Sequence, residues 1–179
     1  MPGQSIILMG VSGSGKSSVG AELARTIEAK FIDGDDLHPR ANIRKMASGT
    51  PLNDEDRAPW LERLNDTAYS LYHKNETGII VCSALKKRYR DDLRRDNEGM
   101  TFLYLKGSFD LILARHKARA GHFMPTELLK SQFDALEEPG GHEPDVLTID
   151  IDGGMEDVVN RCVAALRSHR LEWHRGTPE

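Results

Sequence analysis

The residues with the clearest chemistry run from Gly10 to Ser17 and read Gly-Val-Ser-Gly-Ser-Gly-Lys-Ser. This is the G-x-x-x-x-G-K-[ST] pattern of a phosphate-binding loop, in which glycines let successive backbone N–H groups turn inward around phosphate oxygens. Lys16 can then reach the β and γ phosphates of a nucleotide, and Ser17 can ligate Mg²⁺. The pattern predicts a nucleotide site formed by Gly10, Val11, Ser12, Gly13, Ser14, Gly15, Lys16, Ser17 and Ser18. It leaves open whether the phosphate is transferred, hydrolysed or only sensed.

Two carboxylates, Asp33 and Asp35, follow the next apolar run of the chain. Their alternation lets both side chains point into the cleft that the phosphate loop opens onto. Such a carboxylate can hold Mg²⁺ through water or take the proton of an attacking hydroxyl. The alternative is an acidic turn that only caps the following helix. Because the third apolar run, Gly78 to Ser83, lacks a terminal aspartate, Asp33 is the first choice for the magnesium carboxylate.

Basic residues gather at two polar segments that resemble insertions, Pro39 to Pro59 and Arg119 to Pro125. Those at the second segment lead into it. Cations on a closing loop can stabilise the charge that spreads over a transferring phosphoryl group. We expect at least half of them only to keep the surface soluble. Arg119 is the favoured functional residue, because it borders a possible hinge at Gly121, and the neighbouring His122 can close over a ligand. The cations concerned are Arg40, Arg44, Lys45, Arg57, Arg115, Lys117 and Arg119.

Two further features concern anion binding and histidine. Lys86 lies in the segment Ser83 to Arg90, where a strand ends and a helix opens, and this placement suits a substrate carboxylate or, equally, a basic helix face. His38 follows the acidic turn and is expected in the cleft. The other helical and terminal histidines are expected to be solvated: His73, His116, His169 and His174. No zinc-ligand spacing and no Asn-Lys-x-Asp sequence for GTP is present.

Short apolar runs alternate with amphipathic stretches along the chain. Nearly continuous apolar runs are typical of strands that are covered on both faces. The alternation predicts an α/β fold with a parallel sheet between two helix layers, with the ligand beyond the carboxyl ends of the strands. The predicted strands are Ser5 to Met9, Lys30 to Ile32, Ile79 to Cys82, Phe102 to Leu105 and Val146 to Ile151. The predicted helices are Ser17 to Ala29, Asp54 to Lys74, Lys86 to Asp96, Ser108 to Ala118, Thr126 to Leu136 and about Met155 to Leu171. The tail after Leu171 is expected to be mobile.

Length and composition favour one domain acting on small molecules. The chain has 179 residues and a formal net charge of −4 at pH 7, which gives no general attraction to nucleic acid or to an anionic membrane. No secretory signal or membrane-length apolar run is present, so a cytoplasmic protein is expected. Cys82 and Cys162 lie far apart and are expected to be small buried apolar residues.

Several longer motifs make the chain resemble the gluconate kinases, a branch of the small phosphate-loop kinases. The phosphate loop by itself indicates only the superfamily, whereas the segment from His38 to Leu61 and the Gly121 to Met124 sequence are more specific. The residues that carry the resemblance are Gly10 to Ser17, Asp33-Gly34-Asp35, His38-Pro39, Asn42, Lys45-Met46, Gly49 to Leu61, Cys82 to Lys86, Tyr104 to Gly107, Gly121 to Met124 and Ser131 to Phe133.

The resemblance implies ATP-dependent phosphorylation of D-gluconate at its 6-hydroxyl, giving 6-phospho-D-gluconate and ADP. It also implies one phosphate-loop kinase domain over residues 1–179, with five parallel strands, a substrate flap over about 36–60, a mobile lid over about 119–137, and a homodimer. By this resemblance Asp33 holds a magnesium water and Asp35 orients or deprotonates the 6-hydroxyl. Substrate contacts are expected from His38, Lys45, Arg57, Lys86 and His122, and contacts to the transferring phosphoryl from Arg115 and Arg119.

Two rival functions stay open from the sequence. The first is a kinase of the same fold that acts on shikimate, a nucleotide or another sugar acid. The second is a non-catalytic ATP-binding regulator whose flap binds a protein partner. The regulator leaves the paired carboxylates and the lid arginine without a task.

Overall fold

The computed structural model describes residues 3–118 and 126–176. Within these residues the backbone forms one five-stranded sheet, in the order β2-β3-β1-β4-β5, and every pairing is parallel. This confirms the predicted five-stranded parallel sheet. The strands are β1 (Gln4–Met9), β2 (Lys30–Asp33), β3 (Thr77–Val81), β4 (Met100–Lys106) and β5 (Val146–Asp150).

Helices connect the strands and cover both faces of the sheet, as predicted. A short 3-10 turn over Gly34–Leu37 follows β2 directly. The helices of the described residues are α1 (Lys16–Ile27), α2 (Arg40–Ala47), α3 (Asp54–His73), α4 (Lys87–Arg94), α5 (Phe109–Ala118), α6 (Thr126–Ala135) and α7 (Met155–Gly176).

The alternation of side chains along the strands builds two separate cores. Ile6 and Leu8 of β1 face a layer formed by α1, α5, α6 and α7. Ile7 and Met9 face the opposite layer, formed by α3 and α4. All four side chains are essentially inaccessible to solvent. Since fully burying one such side chain stabilises a fold by about 1.5–3 kcal/mol, β1 is held firmly in the centre of the sheet.

The central position of β1 sets the position of the phosphate-binding loop. β1 pairs with β3 on one side and β4 on the other. The loop therefore leaves the middle of the carboxyl edge of the sheet, and the Gly10 amide continues the β3 pairing by donating to the Ser83 carbonyl at 3.2 Å. Ligands of parallel α/β sheets bind at this edge.

The polar segment from Pro39 to Pro59, predicted as an inserted loop, contains the helix α2 and the first turn of α3. Asn53 and Asp56 form a reciprocal capping box at the start of α3, which explains why that helix begins so sharply. The terminal helix is also longer than predicted, because α7 continues past Leu171 to Gly176.

The structure also shows the surroundings of the two cysteines. Cys82 and Cys162 are free and buried, as predicted for small apolar residues. Among the described residues, no helix has the length and apolar character needed to cross a membrane. The predicted lid covers about residues 119–137, and its first part, residues 119–125, lies outside the described residues.

Candidate active site

The phosphate-binding loop has a backbone that depends on its glycines. Gly13 and Gly15 have φ values of 82° and 94°, in the region that favours glycine. Gly15 is the residue before α1, and no side chain caps the amides of the first turn of that helix. These amides are therefore oriented toward the loop, where a helix N-terminus favours an anion.

Lys16 lies across its own loop. Its Nζ donates to the Gly10 carbonyl at 2.8 Å and to the Val11 carbonyl at 3.0 Å. Burial lowers the pKa of Lys16 to about 8, and the charges of Asp35 and Asp33 oppose this shift. The ammonium group is thus held at the loop, close to both acidic residues, as the sequence predicted.

The remaining loop residues divide into buried and exposed ones. Val11 and Ser14 are buried, and no residue that the structure describes forms a hydrogen bond with the Ser14 hydroxyl. Ser17 and Ser18 are exposed on the first turn of α1, where their hydroxyls are accessible to a ligand. The Ser12 amide donates to Gln132 Oε1 on α6 at 2.6 Å.

The acidic turn after β2 is packed tightly against the sheet. Asp33 Oδ1 accepts from the Asp35 amide at 3.0 Å, so Asp33 does cap the turn, as the alternative interpretation expected. A Cβ at Gly34 would lie 2.3 Å from the Val81 carbonyl oxygen, and only glycine fits there. Trp60 Nε1 donates to the Gly34 carbonyl at 2.8 Å. The turn that carries both carboxylates is therefore fixed from two sides.

Asp35 is the accessible carboxylate of the pair, because its side chain is 83% exposed. Partial desolvation of the carboxylate and the charge of Asp33 raise the pKa of Asp35, while His38 and Lys16 oppose this rise. A carboxylate with a raised pKa, open to the cleft and near Lys16, can accept a proton from a bound hydroxyl. The capping role of Asp33 does not exclude metal binding, since Oδ2 takes no part in the bond to the turn.

His38 is buried and fixed by three neighbours. Its ring stacks on Trp60 at a centroid distance of 4.3 Å, and Asn42 Nδ2 donates to Nδ1 at 3.2 Å. Because Nδ1 accepts, the proton of the neutral ring is on Nε2, which lies 3.9 Å from Asp35 Oδ1. Burial lowers the pKa of His38, and Asp35 raises it in part. His38 therefore presents a neutral N–H donor next to Asp35.

Arg57 and Lys86, two of the predicted substrate residues, meet at the ring of Tyr89. Their cationic groups lie 5.6 Å and 5.7 Å from the ring centroid. The Tyr89 hydroxyl donates to Asp54 Oδ1 at 2.6 Å and accepts from Arg57 at 3.4 Å. Arg57 of α3 and Lys86, the residue before α4, thus both lie near the Tyr89 ring. The guanidinium of Arg88 lies 5.5 Å from the same centroid. A group of cations of this kind suits an anionic ligand.

Lys45 has a different environment from the one predicted. Its Nζ donates to Asp56 Oδ2 at 2.6 Å, within the capping box of α3. The ammonium group already has a partner, so Lys45 fastens α2 to α3. Its ammonium group has three N–H donors, so the predicted contact from Lys45 to substrate stays a prediction beside this ion pair.

Arg115 lies on the nucleotide side of the phosphate-binding loop. Its guanidinium donates to the Ile151 and Gly153 carbonyls at 2.6 Å and 2.9 Å. It lines a cavity of about 410 Å³ together with loop residues and the start of α7. The carbonyl bonds join α5 to the segment after β5. The contacts of Arg115 to the nucleotide and to the transferring phosphoryl stay predictions. The cavity residues are Gly13, Ser14, Gly15, Ser18, Val19, Arg115, His116, Ala118, Gly153, Met155 and Val158.

His116, expected to be solvated, is not. Both ring nitrogens are buried without a hydrogen-bond partner among the described residues, and a Cβ at Gly13 would lie 2.2 Å from Nε2. The expectation was wrong because helix periodicity cannot reveal that α5 packs directly on the phosphate-binding loop. Arg119 and His122 lie outside the described residues.

The donor set of the cleft suits Mg²⁺ held jointly with phosphate. Within residues 3–118 and 126–176, no group of three or more His, Cys, Asp or Glu side chains could hold a metal ion by itself. Mg²⁺ usually takes only one or two protein oxygens and completes its shell with water and substrate phosphates. The exposed Ser17 hydroxyl and the Oδ2 atom of Asp33 fit that requirement.

Three contributors escaped the sequence reasoning. Tyr89 collects the substrate cations, Asn42 fixes the histidine, and Gln132 contacts the phosphate-binding loop. Gln132 appears in the motif Ser131 to Phe133, but the motif gives it no role. None of the three carries a charge, and the contact of Gln132 joins residues that are 120 positions apart in sequence.

Comparison with known proteins identifies relatives along nearly the whole chain. A family model described as "AAA domain" matches residues 6–139. The chain is 59% identical over 174 residues to the "Thermosensitive gluconokinase" of Escherichia coli (strain K12), covering 96% of this chain and 93% of the relative.

Solved structures agree with this result. A gluconokinase from Sinorhizobium meliloti superposes with a TM-score of 0.86 at 41% identity, covering 97% of this chain and 98% of that one. A shikimate kinase from Aquifex aeolicus has a TM-score of 0.59 at 18% identity, covering 94% of this chain and 99% of that one, and shows the shared fold alone. The predicted phosphate-loop kinase fold is therefore confirmed.

Proposed function

Because the chain belongs to the gluconokinase family, we propose that it transfers the γ-phosphoryl group of ATP to the 6-hydroxyl of D-gluconate. The products are 6-phospho-D-gluconate and ADP. The observation that carries the proposal within the site is the exposed carboxylate of Asp35 near Lys16 of the phosphate-binding loop. A non-catalytic nucleotide sensor has no use for a proton acceptor at this position.

The proposed chemistry is an in-line displacement at the γ-phosphorus. The 6-hydroxyl oxygen forms a bond to phosphorus, the bond from phosphorus to the β,γ-bridging oxygen breaks, and ADP leaves with that electron pair. Asp35 accepts the hydroxyl proton, which its raised pKa favours. Lys16 and the amides of the first turn of α1 stabilise the negative charge on the phosphates.

Gluconate recognition is proposed to use the residues around Tyr89 and His38. The substrate carboxylate would contact Arg57 and Lys86, which both lie near the Tyr89 ring. Asp54 lies 3.9 Å from Arg57. The Nε2–H donor of His38 would bind a substrate hydroxyl near Asp35. Lys45 would support the site indirectly, by fastening α2 to Asp56.

Mg²⁺ is the divalent ion proposed for the site, held by the Ser17 hydroxyl and by Asp33 directly or through water. When bound, it neutralises charge on the β and γ phosphates. The adenosine part of ATP would occupy the cavity of about 410 Å³ beside Arg115 and Met155.

Several expectations from the resemblance stay predictions. The contacts of Arg119 and His122 are among them, and so is the single kinase domain with a flap and a lid. The other two are a cytoplasmic location, where ATP is supplied, and a homodimer. Light scattering tests the homodimer, which is expected to have twice the 20.0 kDa mass of the chain.

An assay of ADP release tests the proposed function directly. D-Gluconate is expected to stimulate ADP release from ATP, whereas shikimate and nucleoside monophosphates are not. Stimulation by shikimate or a nucleotide but not by gluconate would contradict the proposal that gluconate is the phosphoryl acceptor. Tight ATP binding without stimulation by any acceptor would instead favour the non-catalytic regulator.

A further inference from the structure

The proposed phosphoryl transfer does not use the contact between Gln132 and the phosphate-binding loop. Gln132 lies on α6, and its Oε1 accepts from the Ser12 amide at 2.6 Å, across 120 residues of sequence. The bond is short and joins a half-buried side chain to the third residue of the loop. It therefore places the end of this side chain at the phosphate-binding loop.

This bond also determines how the amide is oriented. The Ser12 amide is a donor, so the atom that meets it must be the carbonyl oxygen of Gln132, and the NH₂ group takes the other position. The two amide atoms are about 2.2 Å apart, which places Nε2 within about 5 Å of the Ser12 nitrogen. No acceptor among residues 3–118 and 126–176 is hydrogen-bonded to Nε2. Within the part of the chain that the structure describes, both hydrogens on Nε2 are therefore without an acceptor.

The helix that carries Gln132 is anchored to the rest of the fold. Leu129 is buried in the core, and Phe133 packs edge-on against Phe109 at a centroid distance of 5.5 Å. After the end of α6, the Glu137 amide donates to the Leu85 carbonyl at 2.8 Å. In this structure Gln132 is thus positioned by contacts of its own helix to the rest of the fold, and a positioned donor is the condition for effective electrostatic stabilisation.

We infer that Gln132 is a further catalytic residue, which donates hydrogen bonds from Nε2 to the γ-phosphoryl oxygens of ATP while Oε1 stays on the Ser12 amide. The inference rests on the proposed kinase function and adds a contact to it. Gln132 makes and breaks no covalent bond. The phosphoryl group still passes from the β,γ-bridging oxygen to the acceptor hydroxyl, whose proton goes to Asp35. The neutral amide adds donors where Lys16 already supplies the positive charge.

Nucleotide binding to two Gln132 variants, measured in the absence of gluconate, tests the assignment. Gln132→Met can neither accept nor donate, whereas Gln132→Glu keeps an acceptor for the Ser12 amide and loses the donors. Both variants are expected to bind the ATP analogue AMPPNP about 10-fold to 100-fold more weakly, as for a lost hydrogen bond to a charged group. ADP, which lacks the γ-phosphoryl, is expected to bind within about threefold of the wild type. Ser131→Ala, an exposed neighbour on α6, is the control and should bind both nucleotides normally.

The outcomes separate a phosphoryl contact from a simple tether. Equal weakening for ADP and AMPPNP, or wild-type AMPPNP binding by Gln132→Glu, would overturn the inference. Thermal unfolding of each variant shows whether the fold is intact. Because the wild-type gluconate assay is a separate measurement, failure of this inference and failure of the proposed function can be told apart.

Discussion

Among single residues, Lys16 must be positively charged to bind phosphate, yet its burial disfavours the charged form. Burial lowers its pKa to about 8, so the ammonium form is lost as the pH rises through this value. We expect kcat/KM for ATP to fall about tenfold per pH unit above about pH 8, since this parameter reports groups of the free enzyme. A pH profile of initial rates measures the effect. A kcat/KM for ATP that stays constant from about pH 7 to about pH 10 would contradict it.

Asp35 is the residue on which the proposed chemistry depends most. Asp35→Asn keeps the size of the side chain and removes its ability to accept a proton. We expect kcat to fall about 10²-fold to 10⁴-fold while the dissociation constant of ATP is nearly unchanged. Asp36→Asn is the matched control, because Asp36 is an exposed acid of the same turn and should retain activity. A variant at Asp35 that keeps most of its kcat would show that another group takes the proton.

Among the helices, the start of α3 contributes both to the stability of the fold and to the proposed gluconate site. Asn53 caps its first turn by accepting from the Asp56 amide at 2.8 Å, and Arg57 follows directly in that turn. Asn53→Ala is expected to lower the free energy of unfolding by about 1 kcal/mol and to raise KM for gluconate more than KM for ATP. Urea unfolding and steady-state kinetics measure the two effects. Glu62→Ala, exposed in the middle of α3, should change the free energy of unfolding by under about 0.5 kcal/mol.

The elements differ in how far their sequences predict them. β1, β3 and β4 are nearly continuous apolar runs, and each was predicted to within about two residues. Helix α2 was missed because it is short and polar, and its only buried residue is Asn42. A helix without an apolar stripe gives no periodic signal.

The site shows the same division between local and tertiary information. Local spacing predicted the phosphate-binding loop and the two carboxylates of Asp33 and Asp35. The pairing of Lys45 with Asp56 and the burial of His116 against Gly13 depend on how helices pack, so charge and periodicity could not predict them. Motif spacing also does not indicate that Tyr89 lies between the substrate cations.

At the scale of the whole molecule, one buried arginine joins three distant segments around the acceptor side of the site. Arg90 is fully buried, and its guanidinium donates to the Ala84, Leu85 and Glu137 carbonyls. It also forms a two-point ion pair with Glu143 at 2.8 Å and 2.9 Å. The loop that precedes α4 and carries Lys86 is thereby fixed to the end of α6 and to the approach of β5.

Removing this arginine should therefore destabilise the entire fold. Arg90→Met leaves the Ala84 and Glu137 carbonyls and much of the charge of the buried Glu143 without a donor, and the expected loss is about 3–5 kcal/mol in urea unfolding. Arg95→Met removes an exposed ion pair with Asp92 and should cost under about 1 kcal/mol. The double variant Arg90→Met with Glu143→Leu should recover part of the loss, because no buried carboxylate then lacks its partner. A loss under about 1 kcal/mol for Arg90→Met would mean that water replaces the guanidinium, and that the three segments are held together by their apolar contacts instead.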